Sequence, residues 1–172
     1  MRVARSAGRS GGLDGDRPEA AVGDLRGAGS GGWARGLVQL GAGRYVERAV
    51  DGYQAAVRTA AEALRRTNRP VGLIVWRGAH AWVMSGFTAT ADPLVDPAFR
   101  VTSVWVQDPW YPRVSSIWGP GQKPNTRLSV AALRADFLPR RAGRWHPETA
   151  GKYVVVLPVD PVRPAAPGWR PR

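Results

Sequence analysis

Cysteine is absent from the 172 residues of this chain, and histidine occurs only twice, as His80 and His146. Without cysteine, these residues can form neither a disulfide bond nor a thiolate metal site. The two histidines have no cluster of Asp or Glu at ligand spacing around them, which argues against a histidine-based metal centre. We therefore expect neither a metal ion nor a cofactor.

Long apolar runs are also missing. No window of the sequence is long and apolar enough to span a bilayer. The charged start, MRVARSAGRSGG, is not followed by the apolar stretch of a secretory signal peptide. On these grounds we expect a soluble protein with no membrane partner and, by default, a cytoplasmic location.

Lysine is scarce, although the chain is strongly basic. Only Lys123 and Lys152 are lysines among the 25 basic residues, and the formal net charge is +12. Such a charge favours polyanions, because bound cations displace counterions from phosphates. However, the arginines are dispersed, and no basic stripe alternates with aromatic residues as in nucleic-acid-binding proteins. A polyanion-binding protein is therefore the third hypothesis, and nucleic acid is not the expected partner.

Glycine-rich and proline-rich segments flank a central region that can form a hydrophobic core. Residues 1–32 contain nine glycines and no aromatic residue, so we expect a disordered Gly/Arg-rich head. Residues 159–172 are rich in Pro and Arg, and we expect an extended or disordered tail. Seven of the eight tryptophans lie between Trp33 and Trp145. The composition therefore predicts one folded domain at 33–158.

Hydrophobic patterning predicts an α+β fold in that domain. Apolar residues at helical spacing predict helices, and short apolar or alternating runs predict strands. The predicted elements are a short helix from Trp33 to Leu40, a helix at 53–66, strands at 71–76, 80–89 and 101–107, a short helix capped by Ser129, and a strand at 152–158. Tight connections between the first strands predict an antiparallel sheet that packs against helices on one side.

His80 and Asp108 are the residues best placed for catalysis. His80 begins the strand at 80–89, and Asp108 directly follows the strand at 101–107. If these strands pair antiparallel, the two residues meet at one edge of the sheet, where the carboxylate can accept a hydrogen bond from the imidazole. This is the base-and-orienter half of a nucleophilic triad. A second interpretation also fits, in which His80 bonds only to the backbone and Asp108 forms an Asp-Pro turn.

Two segments around these residues resemble a known family. RPVGLIVWRGAHAWVMSGF and VTSVWVQDPWYP, within residues 69–112, are similar to the second half of a bacteriocin-processing-type (double-glycine peptidase-like) domain of the papain-like cysteine peptidase superfamily. The helix at 53–66 and the final YVVVLP strand fit the same order of elements. The resemblance implies a papain-like fold whose N-terminal helical part is incomplete, with His80 as general base and Asp108 as its orienter.

The chain departs from this family at the nucleophile. The family uses a cysteine at the N-terminus of a helix near the start of the domain, with a glutamine upstream, and this chain has no cysteine. Ser30 is not expected to replace it, because its sequence surroundings do not indicate a helix N-terminus and a serine lacks the reactivity of a thiolate. Two hypotheses follow: a truncated or wrongly started peptidase, or a pseudoenzyme that binds peptides or a partner protein.

Aromatic residues near the expected dyad can line a groove. The candidates for cleft lining are Trp82, Trp110, Tyr111 and Trp118. In the alternative interpretation, the last three only hold a loop against the sheet. His146 is expected at the surface.

Overall fold

The computed structural model describes residues 29–143 and 146–160. The helices are α1 (Ser30–Gln39), α2 (Tyr53–Thr67) and α3 (Val130–Leu133). The strands are β1 (Tyr45–Val50), β2 (Val71–Val75), β3 (His80–Ala89), β4 (Val101–Gln107), β5 (Val114–Ser115), β6 (Gly119–Pro120), β7 (Thr126–Ser129) and β8 (Tyr153–Pro158). Single 3₁₀ turns occupy Trp76–Gly78 and Pro147–Thr149.

Six strands form one antiparallel sheet in the order β1-β8-β2-β3-β4-β7. The short strands β5 and β6 pair separately as a hairpin in the loop after β4. β2, β3 and β4 are neighbours in sequence and in space. The turn at Gly78 folds β3 directly back onto β2, and β4 then pairs with β3. The predicted α+β arrangement with an antiparallel sheet is confirmed.

Helices cover both faces of the sheet, which corrects the expectation that they lie on one side. Leu73 belongs to the main core together with residues of α2. Gly72 points to the opposite face, where the Trp33 ring of α1 would overlap a side chain added at this glycine. Because adjacent strand residues face opposite ways, α1 and α2 lie on opposite sides of the sheet. The continuous apolar run of β2 fits a strand buried on both faces.

The alanine-rich helix α2 forms because its small side chains pack closely on the sheet. Ala56, Ala60 and Ala61 are fully buried, so the helix backbone approaches β8 and the central strands. The helix ends at Asn68, which adopts the left-handed conformation (φ 51°) and donates its N–H to the Leu64 carbonyl. Pro70 then directs the chain into β2.

Two features of the amino-terminal half differ from the prediction. Helix α1 begins at Ser30, within the expected disordered head, because Ser30 is buried and bonded to Arg140 and Trp33 packs against the sheet. Strand β1 was not predicted, since Glu47 and Arg48 interrupt its apolar residues. The remainder of the head, 1–28, and most of the tail, 161–172, lie outside the described residues.

No helix in the described part of the chain has the length and apolar character needed to cross a membrane.

Candidate functional site

His80 and Asp108 meet where β3 begins and β4 ends, and we call this end of the two interior strands the edge that carries the dyad. Alternation along β3 turns His80 toward the same face as the buried Trp82, and alternation beyond β4 turns Asp108 toward the same face as the buried Val106. The imidazole Nε2 lies 2.6 Å from Asp108 Oδ1. The His80 side chain is 15% exposed and the Asp108 side chain is fully buried, so a ligand can reach the imidazole but not the carboxylate.

The Asp108 carboxylate is fully enclosed by hydrogen-bond donors. Oδ1 accepts from His80 Nε2 and from the Trp110 N–H at 2.8 Å, and Oδ2 accepts from the Gln122 N–H at 2.9 Å. Burial raises the pKa of the carboxyl, but these three hydrogen bonds outweigh burial and hold the pKa below its ordinary value of 3.8. Asp108 is therefore ionised at neutral pH.

An ionised carboxylate fixes the proton on the His80 ring. A carboxylate can only accept, so His80 Nε2 must carry the proton of this hydrogen bond. In the neutral imidazole, Nδ1 is then the unprotonated nitrogen. The geometry therefore assigns Nδ1 as the atom that would take a proton from a nucleophile.

The turn that precedes His80 has an unusual backbone. Trp76, Arg77 and Gly78 all have positive φ values, 55°, 59° and 99°. Glycine adopts such angles readily, but each of the other two residues costs about 1–3 kcal/mol. Strain of this kind persists only where surrounding contacts enforce it, and it is concentrated at functional sites. Here it sets the direction from which the chain enters His80.

Trp76 is held in this strained turn by Asp136. The Trp76 backbone N–H donates to the Asp136 carbonyl at 2.8 Å, and the indole Nε1 donates to Asp136 Oδ1 at 2.9 Å. Burial raises the pKa of Asp136, the indole hydrogen bond lowers it, and the charge of Asp108 raises it further, so the pKa lies above 3.8. The His80 ring stacks on the fixed indole, with the centroids 4.5 Å apart.

Two of the expected cleft-lining residues complete an aromatic wall around His80. Trp110 lies edge-on to the imidazole, with the centroids 6.0 Å apart. Trp118 is stacked parallel to Trp76 at 5.9 Å. Tyr111 is 41% exposed in the same loop, but the structure shows no contact between its ring and His80. Trp82 is fully buried in the core, so it does not line a surface that a ligand can reach.

Gly121 lets the loop after β4 close over Asp108. A methyl group on this residue would lie 2.8 Å from the Tyr111 nitrogen and 3.2 Å from Asp108 Oδ2. The absence of a side chain allows the next residue, Gln122, to bring its N–H to the carboxylate. The loop is thus part of the site, because its backbone supplies two of the donors to Asp108.

Ser30 and His146 lie apart from the dyad. Ser30 does occupy a helix N-terminus, contrary to the expectation from its sequence, but its hydroxyl accepts from Arg140 Nη1 at 2.9 Å. The His146 side chain is 34% exposed, and its ring lies beside Gly29 with Nδ1 3.6 Å from Glu148 Oε1. In the described part of the chain neither residue is hydrogen-bonded to His80.

Trp76, Asp136 and Gly121 support the site but were not singled out from the sequence. The signal for the strained turn is the Trp-Arg-Gly segment at 76–78, which precedes His80 by one residue. Gly121 lies in a Gly-Pro-Gly segment that indicates only a turn. Asp136 carries no local signal, since it reaches Trp76 from 60 residues away.

In three comparisons with known proteins, no protein-family model, curated protein or solved structure matched this chain.

Proposed function

We propose that this domain is a papain-like, bacteriocin-processing-peptidase-like domain that binds peptides at the sheet edge carrying His80 and Asp108. The observation that carries the proposal is the 2.6 Å hydrogen bond between the buried carboxylate and the accessible imidazole. Such a bond fixes the ring tautomer and orientation that a general base needs. In this account His80 Nδ1 deprotonates a thiol, and Asp108 stabilises the imidazolium that results.

The thiol itself must come from outside these 172 residues, because they contain no cysteine. A second candidate function follows from the same fact. The domain would bind a peptide or a partner protein without cleaving it. Val114 and Ile117 favour this candidate, since they are 70% and 80% exposed on the loop that encloses Asp108. Exposed apolar side chains beside a site are typical of a binding surface.

A thiol supplied in solution tests the catalytic proposal. The substrate is the p-nitrophenyl ester of an acetylated peptide, and the nucleophile is 2-mercaptoethanol. His80 Nδ1 accepts the S–H proton while sulfur attacks the carbonyl carbon. A C–S bond forms, the C–O bond breaks, and nitrophenolate leaves before His80 releases its proton to water. Nitrophenolate absorbance gives the rate.

We expect protein and thiol together to release nitrophenolate about tenfold faster than thiol alone. This is less than the roughly hundredfold effect of a positioned base, because the free thiol is not held in place. His80→Ala should lose the enhancement, and the matched control His146→Ala should keep it. Equal rates for His80→Ala and the unchanged protein would overturn the catalytic proposal, and persistent peptide binding by both would then support the binding module.

A further inference from the structure

Three exposed arginines belong to segments next to the dyad. Arg77, Arg113 and Arg141 are exposed, and we call them the arginine rim. Arg77 lies in the strained turn three residues before His80, and its carbonyl accepts from the Arg141 N–H at 3.0 Å. The Arg113 guanidinium lies 5.4 Å from the Trp110 ring centroid, and Trp110 is edge-on to His80. Arg77 is thus near the dyad along the chain, Arg141 lies beside Arg77 through the backbone, and Arg113 is linked to His80 through Trp110.

The two aspartates of the site are already engaged in hydrogen bonds. Asp108 is fully buried and accepts from His80, and the half-buried Asp136 accepts from Trp76. Within residues 29–143 and 146–160, none of the rim arginines forms an ion pair. Unneutralised arginines around a site attract negative charge and increase the rate of encounter with an acidic ligand.

Apolar side chains lie beside the rim rather than further cations. Val114 directly follows Arg113 and is 70% exposed, and Ile117 in the same hairpin is 80% exposed. A polyanion such as heparin or nucleic acid needs a continuous basic track and gains nothing from these apolar side chains. A peptide with both acidic and apolar side chains matches both parts of the surface.

We infer that this edge of the domain selects an acidic, partly apolar peptide. The inference rests on the proposed function and adds the chemical class of its ligand. The arginine rim provides the charge selection, and Val114 and Ile117 provide the apolar contact. Trp110 contacts both His80 and the Arg113 guanidinium, so a peptide bound at Arg113 and Val114 would lie close to the imidazole.

Fluorescence polarisation with three labelled peptides tests the inference. The peptides alternate Leu with Glu, Leu with Gln, or Leu with Lys, and differ only in charge. In about 0.05 M salt we expect the Glu peptide to bind roughly tenfold more tightly than the Gln peptide, with the preference shrinking at about 0.5 M salt. The triple variant Arg77→Gln, Arg113→Gln and Arg141→Gln should lose this preference and keep the weaker binding of the Gln peptide.

The matched control removes three charges elsewhere. The control variant carries Arg44→Gln, Arg48→Gln and Arg66→Gln. These exposed arginines lie away from the dyad, and their replacement lowers the net charge by the same amount. An equal loss of the preference for the Glu peptide in the control variant would show that overall charge, and not the arginine rim, selects the peptide. Equal binding of the Glu and Gln peptides by the unchanged protein would overturn the inference alone. Binding of heparin that is lost in the triple variant, without peptide binding, would overturn both the inference and the peptide-binding function.

Discussion

The central interaction at the residue scale is the bond from His80 to an aspartate that is kept ionised. Burial alone would favour the neutral acid, but three donors around Asp108 reverse that preference. The same edge contains Asp136, whose pKa is raised because burial disfavours its charge more than the single Trp76 hydrogen bond favours it, and the Asp108 charge raises it further. Two aspartates in one site are therefore shifted in opposite directions by their surroundings.

Replacing Asp108 by Asn should change how stability depends on pH. A folded-state pKa below 3.8 means that ionised Asp108 stabilises the fold above about pH 3.8 and that this contribution is lost as the pH falls through the lowered pKa. We expect Asp108→Asn to lower the free energy of unfolding at neutral pH by roughly 1–3 kcal/mol. The free energy of unfolding of this variant should also fall less steeply as the pH is lowered. Urea unfolding between neutral pH and about pH 2 measures both effects.

Asp136→Asn is the matched control for that prediction, with the opposite sign. A raised pKa means that ionised Asp136 costs stability at neutral pH and that the cost disappears as the pH falls through the raised pKa. The unchanged protein should therefore gain stability relative to Asp136→Asn on mild acidification. If the unfolding free energies of Asp108→Asn and Asp136→Asn changed with pH in the same way, the opposite pKa shifts of the two aspartates would be contradicted.

Residue positions near the site were predictable only where strand alternation fixes them. The meeting of His80 and Asp108 follows from two neighbouring antiparallel strands, and the sequence indicates both strands. The same alternation places Trp82, two residues after His80 on β3, in the core rather than in a cleft. The contact between Trp76 and Asp136 was not predictable, because it depends on a long-range packing arrangement.

At the scale of elements, the loop after β4 determines the geometry of the dyad. Its backbone supplies two of the three donors to Asp108, and its aromatic rings form the wall around His80. The hairpin β5–β6 keeps Val114 and Ile117 exposed beside these groups. The loop therefore links the buried carboxylate to the surface on which a peptide would bind.

Gly121→Ala should disturb this loop. The added methyl group would meet the Tyr111 backbone nitrogen at 2.8 Å, and backbone cannot move aside as a flexible side chain does. We expect a loss of about 1–3 kcal/mol in the free energy of unfolding and a weaker thiol-dependent release of nitrophenolate. Chemical denaturation and the nitrophenolate assay measure the two effects.

Gly36→Ala provides the control within a helix. No atom outside the helix backbone lies within 4 Å of an added methyl group at Gly36, so alanine should stabilise α1 by roughly 0.5–1 kcal/mol. A Gly121→Ala variant as stable as the unchanged protein, with full thiol-dependent activity, would show that the loop does not depend on this close approach.

The elements with the clearest patterns were predicted almost residue for residue. β3 and β4 have the predicted bounds, because segments rich in β-branched and aromatic residues end at turn residues. The pattern does not reveal β1, because the consecutive charged residues Glu47 and Arg48 interrupt the apolar run of an edge strand that is buried only in part. The placement of α1 on the far face depends on how Trp33 fits Gly72, which no local pattern reveals.

At the scale of the whole molecule, the distribution of charge matters more than its sum. A net charge of +12 alone suggests a polyanion partner, and the sequence could not distinguish dispersed arginines from clustered ones in space. The fold joins the backbones of Arg77 and Arg141 and places the Arg113 guanidinium beside Trp110, so arginines from three separate segments lie next to the dyad. The same edge holds His80, so charge selection and the proposed chemistry would act on one ligand.

The small number of histidines makes a direct test of the dyad practical in the intact protein. Only His80 and His146 contribute imidazole signals, so ring ¹⁵N NMR of the whole chain contains two spin systems, and His146→Ala assigns them. For neutral His80 we predict a proton on Nε2, in a strong hydrogen bond to Asp108, and an unprotonated Nδ1. A His80 ring protonated on Nδ1 with a bare Nε2 would contradict the account, since Asp108 would then not orient a base.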